Sequence, residues 1–187
     1  MERDNKLKIL YDTGRTVFTL KNLADLWNLS YESAKVVVKR MVDKNVLYRV
    51  ATGYYTITER YNLLELANLI TTPSYVSLQS ALFYHNISFQ VSNIITSVAK
   101  INYTKKIGDT IFKYHSMKEE IFFNLEGLNY HKTFTIAIPE RAILDCLYFG
   151  YLPDIDNPEK INFTHLKELS LFYPKSVRKK VKELMEK

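Results

Sequence analysis

The chain has 187 residues, 47% of them hydrophobic and 25% charged, with five Gly, five Pro and a single Cys. Such a composition suits one medium or two small globular domains and argues against long disordered linkers, an internal disulfide, and any run of the roughly 18 apolar residues that a membrane span needs. The net charge of +6 is a mild bias toward polyanions and gathers at the two ends: 11 Lys/Arg against 8 Asp/Glu in residues 1–70, 9 against 10 in 71–174, and 6 against 2 in 175–187.

In chain order, Met1 to Lys6 is charged and has no apolar signal core behind it, so a cytoplasmic location is expected. Lys6 to Tyr11 reads as the end of a first helix, with Gly14 as its left-handed cap. Thr19 is a suitable N-cap for a helix over Leu20 to Trp27, whose Leu20, Leu23, Ala24 and Trp27 fall at helical spacing. Asn28-Leu29 makes a tight turn, Ser30 caps a third helix over Tyr31 to Lys44, and Asn45 stands where a left-handed residue ends it. Val46–Val50 and Gly53–Thr58 read as a two-stranded hairpin joined by Ala51-Thr52. Helix, helix, turn, helix, hairpin is the order of a winged helix-turn-helix, in which the third helix enters the major groove and the hairpin is the wing.

The side chains fit that order. Ala34, Val37, Val38 and Met41 form one apolar face of the third helix, while Tyr31, Glu32, Lys35, Val36, Lys39 and Arg40 lie on the other face or its borders. A cationic, partly polar outer face is what phosphate contact and base reading require. Lys35, Lys39 and Arg40 are the candidate DNA contacts, with Tyr31, Glu32 and Ser33 near the bases and Arg49 and Tyr54 reaching from the wing. Val36 departs from the polar reader more usual on such a face, and Arg49 is the one strong cation of a short wing.

A helix over Glu59 to Leu69 is expected to join this domain, residues 1–70, to a second, residues 71–187. There the pattern predicts a helix from Tyr75 to His85 and strands over Phe89–Ala99, Thr110–His115, Ile121–Leu125 and Phe134–Ile138. Pro139 opens a helix to Phe149, Gly150 to Ile161 is a loop, and helices including Ser176 to Met185 finish the chain. The fold class is therefore α+β, a winged helix-turn-helix followed by a mixed α/β domain with about four strands and flanking helices.

Two segments carry a more specific signal. Ser74-Tyr75-Val76-Ser77-Leu78-Gln79-Ser80-Ala81-Leu82 is followed about 55 residues later by Ile136-Ala137-Ile138-Pro139-Glu140-Arg141-Ala142-Ile143-Leu144-Asp145. With the winged helix ahead of them, these "SxxSAL" and "PERAILD" elements resemble the AbiEi family of abortive-infection antitoxins over nearly the whole chain. The resemblance implies a winged helix that binds operator repeats upstream of its own operon as monomer or homodimer. It also implies a C-terminal domain that opposes a nucleotidyltransferase-type toxin without a tight complex. Ser77, Ser80, Pro139, Glu140, Arg141 and Asp145 are the motif residues of that domain.

Other readings of the same residues stay in view. Arg141 and Asp145 are four apart on a helix and suit an ion pair, or Arg141 ties the helix to the neighbouring sheet. Ser77 or Ser80 with His85 and Asp145 has the composition of a triad, but no nucleophile-elbow Gly pattern surrounds either Ser, and His85 near a helix end is a dipole partner. Cys146 falls in an apolar stripe and reads as an inert core thiol. No metal, cofactor, enzymatic activity or membrane contact is expected. The competing functions are a protein-interaction module, a stand-alone regulator without a toxin partner, and a nuclease or nucleotidyltransferase, for which the sequence has no paired-carboxylate metal motif or Gly-rich phosphate loop. The basic tail, Lys175, Arg178, Lys179, Lys180 and Lys182, is a solvated helix face or a contact for DNA backbone or an acidic partner.

Overall fold

A computed structural model describes residues 3–186. Local rules account for the first elements: α1 (Arg3–Thr13), β1 (Val17–Thr19), α2 (Leu20–Leu26), α3 (Tyr31–Asp43), β2 (Tyr48–Ala51), β3 (Tyr54–Thr56) and α4 (Leu63–Ile70). Thr19 and Asn22 form a reciprocal capping box at the start of α2, each backbone amide donating to the other's side chain at 3.1 Å. Ser30 Oγ accepts from the Ser33 amide at 3.2 Å and caps α3. Gly14, Asn28 and Asn45 take the positive φ that ends each helix, at 70°, 51° and 53°.

Leu10, Phe18, Leu23, Trp27, Ala34, Val38, Met41 and Leu47 form the core of this part. Three details differ from the sequence expectation. Val17–Thr19 is a strand, so the hairpin belongs to a three-stranded antiparallel sheet in the order β1-β3-β2. The hairpin turns at Thr52-Gly53 rather than Ala51-Thr52, because Gly53 supplies the required φ of 86° and Ala51 is opposite Tyr54. The helix expected from Glu59 starts at Leu63. Asn62 Oδ1 accepts the Leu64 amide at 2.8 Å, its own amide donates to Thr16 Oγ1, and buried Glu65 Oε2 accepts from the amide and hydroxyl of Thr16.

The chain divides at Leu69/Ile70 into two compact units. The second comprises β4 (Ser74–Val76), α5 (Leu78–Tyr84), β5 (Ile94–Ala99), β6 (Tyr103–Ile107), β7 (Thr110–Ser116), α6 (Glu119–Phe122), β8 (Leu128–Tyr130), β9 (Thr135–Ala137), α7 (Pro139–Tyr148), α8 (Phe163–Leu169) and α9 (Lys175–Met185). Its sheet has six strands, not about four, in the order β6-β7-β5-β4-β9-β8; β5/β7 and β4/β9 are parallel and the other pairs antiparallel.

The extra strands come from short segments. Ser74–Val76, with Tyr75 and Val76 expected to open a helix, is an interior strand paired on both edges, and α5 begins only after Ser77. Tyr103–Ile107 and Leu128–Tyr130 are edge strands whose exposed, polar positions hide their pairing. Ile121–Leu125, expected as a strand, holds instead the end of α6, where Ile121 and Phe122 are buried behind Glu119 and Glu120 in the first turn. The β5 strand begins at Ile94, leaving 88–93 irregular. Helix α7 is buried from Glu140 to Leu147 and packs against α5, α8 and α9, so it is the central post of the unit. Among the described residues no helix is long and apolar enough to cross a membrane.

Candidate functional site

Two constellations hold the residues singled out from the sequence. The first is the outer face of α3. Ala34, Val38 and Met41 are buried, and the rotation they impose leaves Tyr31, Glu32, Ser33, Lys35, Val36, Lys39 and Arg40 exposed. Lys35 Nζ lies 4.0 Å from Glu32 Oε2 in an exposed i,i+3 pair of little energetic weight. Val36, 50% exposed, is the apolar member of this face. In the hairpin, Arg49 is exposed and donates to Thr52 Oγ1 at 3.2 Å. Tyr55 packs against the core and Tyr54 is half-buried. The structure thus leaves Tyr31, Glu32, Ser33, Lys35, Lys39 and Arg40 on the exposed side of α3 and Arg49 exposed on the hairpin, while Tyr54 is only partly accessible.

The second constellation is a buried polar network around α7. Asp145 is wholly buried; Ser77 Oγ donates to its Oδ2 at 2.6 Å and Tyr173 Oη to its Oδ1 at 2.6 Å. Burial pushes the carboxyl above its ordinary value, against the opposing pull of Arg141 and these hydrogen bonds. Arg141 does not bridge directly to Asp145. Its Nη1 donates to the carbonyls of Asn124 at 2.5 Å and Glu126 at 2.6 Å, and its Nη2 to the Ile121 carbonyl at 3.0 Å and Tyr75 Oη at 3.1 Å. Of the two sequence readings of Arg141, the tie to the sheet is made through Tyr75 of β4 alone, while its other bonds gather α6 and the segment before β8 onto α7.

The remaining motif residues are used in the same way. Pro139 is at the first turn of α7, and Glu140 Oε1 accepts from the Asn162 amide at 2.7 Å. Ser80 Oγ accepts from the Thr96 amide at 2.8 Å, and Thr96 Oγ1 donates to the Ser77 carbonyl at 2.7 Å, sewing the start of α5 to β5. No triad assembles. His85 Nε2 is 2.9 Å from the Ala137 carbonyl, and burial holds its pKa below the ordinary value, which favours a neutral ring over the charged dipole partner expected from sequence. Cys146 is buried, and burial raises its thiol far above the usual range.

Tyr75 and Tyr173 are the network members that the sequence did not single out. They lie 66 residues before and 28 residues after their partners Arg141 and Asp145, with no periodicity to mark them. No protein-family model matches the chain, and no curated protein sequence matches it.

Proposed function

We propose that the protein is a sequence-specific DNA-binding repressor that autoregulates an operon. In this reading its first 70 residues act as a winged helix-turn-helix, with α3 in the major groove and the β2–β3 hairpin against the adjacent backbone. The observation that carries it is the exposure of Lys35, Lys39 and Arg40 together on a helix anchored through Ala34, Val38 and Met41. Lys and Arg at this spacing meet phosphates and guanine edges, Ser33 and Glu32 are suited to base edges near the helix start, and an exposed Val suits a thymine methyl. One copy or a homodimer would occupy operator inverted repeats.

By the AbiEi resemblance, the second unit would act as an antitoxin toward a nucleotidyltransferase-type toxin encoded beside it. The polar motif residues support this only as a scaffold, since each is spent on internal hydrogen bonds. No catalytic residue is assigned.

A mobility-shift titration with DNA from upstream of the gene tests the first claim. Lys39→Ala with Arg40→Ala should weaken binding to all sequences, and each phosphate contact removed should flatten the log–log salt slope by about one. Unchanged operator affinity in the double variant would refute the assignment. Co-expression of the full chain with the neighbouring gene tests the second: growth rescue that survives the double substitution marks an antitoxin, and no rescue leaves a stand-alone regulator.

A further inference from the structure

Helix α9 places cations at every turn of one face. Lys175, Arg178, Lys179 and Lys182 recur at helical spacing, and Lys167 of α8 faces the same side. Together they edge an open groove of about 610 Å3 between α9 and the α8 end. Its accessible apolar side chains are Leu171 and Met185, both well exposed, over the buried Val181, and Glu186 is the one acid among the described residues on its rim. Arg178 is half-buried, and its Nε is enclosed without a hydrogen-bond partner. The opposite face of α9 is already committed, with Val177 buried and Lys180 Nζ donating to the Leu147 carbonyl at 3.1 Å.

We propose that this groove docks an acidic amphipathic helix of a partner protein, its Leu-type side chains on the apolar walls and its carboxylates against the Lys/Arg edges. The mode is helix-in-groove recognition, with anchors at i, i+3, i+4 and i+7. Charge complementarity selects an anionic occupant, and the apolar walls distinguish which kind. A duplex backbone would leave the exposed Leu171 and Met185 uncovered. A single strand would look for aromatic rings on which to stack bases, and no aromatic side chain lines the groove. The inference concerns the second unit alone and is independent of DNA reading by α3.

The test uses the full chain and a fluorescein-labelled helical peptide of about 15 residues, long enough to hold a helix, with Leu and Glu on one face. Fluorescence polarisation should show saturable binding that the unlabelled peptide competes and a Lys-for-Glu counterpart does not. Lys175→Glu with Lys179→Glu should weaken it at least tenfold, as should Met185→Asp, with unchanged circular dichroism. Lys39→Ala with Arg40→Ala should leave it intact. Equal binding of the two peptides, or affinity unmoved by the groove variants, would overturn the proposal. So would a groove that ignores the peptide while the same variants abolish binding of duplex DNA or of phosphatidylglycerol vesicles.

Discussion

Replacing Asp145 by Ala tests whether the motif on α7 is structural. The carboxylate is wholly buried and accepts two 2.6 Å hydrogen bonds, from Ser77 and Tyr173. Its removal strands two buried hydroxyls at about 1–3 kcal/mol each, partly offset by relief of the carboxylate's own burial, for a net loss of about 3 kcal/mol. For a unit of this size that lowers the melting temperature by about 10 °C. Asp145→Asn keeps the shape and one acceptor and should cost about 1 kcal/mol. Far-UV circular dichroism in urea is the assay, because the single Trp27 lies in the core of the other unit and reports on that one. The two variants also differ from wild type in pH dependence. Because burial raises the folded pKa of Asp145, its protonated form favours folding below the ordinary carboxylate value, and that stability is lost as pH rises through the folded value. The gap between wild type and Asp145→Asn should therefore narrow as pH rises. A loss below about 1 kcal/mol for Asp145→Ala, within the range of ordinary surface changes and their error, would refute the structural reading.

Other perturbations probe other links. Gly127 has φ +77°, and a Cβ there would lie 3.0 Å from Arg141 Cβ and 3.3 Å from Leu169 Cδ1. Gly127→Ala should then cost about 2–3 kcal/mol in the same dichroism melts, from backbone strain plus crowding. Thr19→Ala removes the capping box of α2 and should lower the stability of the first unit by about 1 kcal/mol, read by Trp27 fluorescence in urea. Burial lowers the pKa of His85, so the unfolded chain takes up its proton more readily. Stability should fall as pH drops from neutral through the lowered value, and His85→Gln should flatten that acid limb in calorimetry between about pH 5 and 7. His115, lowered first by burial and then by Lys113, leaves a residual slope in the variant.

The first unit was legible because its signals are local. Thr19, Ser30, Gly14 and Asn45 each act within a few residues, and the spacing of Ala34, Val38 and Met41 fixes which side of α3 faces out. The strand over Val17–Thr19 was not legible, since three residues carry no alternation and the segment becomes a strand only through its register with Thr56, Tyr55 and Tyr54. The second unit yielded less for the same reason. Strands β4 and β8 are three residues each, and their places in the sheet depend on partners far away in sequence. Ile121-Phe122-Phe123 has β-forming composition, yet the neighbouring Glu119 and Glu120 open a helical turn there.

Motif and chemistry also separate at the level of individual atoms. Ser77, Ser80, Glu140, Arg141 and Asp145 are polar residues in a sharp pattern, which invites a search for a reaction. A buried polar group must be hydrogen-bonded or cost several kcal/mol, so a fold that buries Asp145 and Arg141 also has to supply their partners. Here those partners are internal: two hydroxyls for Asp145, three carbonyls and Tyr75 for the two Nη groups of Arg141, whose Nε alone is left without one, a backbone amide for Glu140 and the Thr96 amide for Ser80. The pattern is as demanding as an active site because the requirement for satisfaction is as strict, and it specifies how α5, α7 and the sheet fit together. By contrast, Lys35, Lys39 and Arg40 on α3 in one unit and Lys175, Lys179 and Lys182 on α9 in the other remain exposed. Recognition by this protein is therefore to be sought on those two helix faces, and the buried acids of α7 are the wrong place to mutate in search of it.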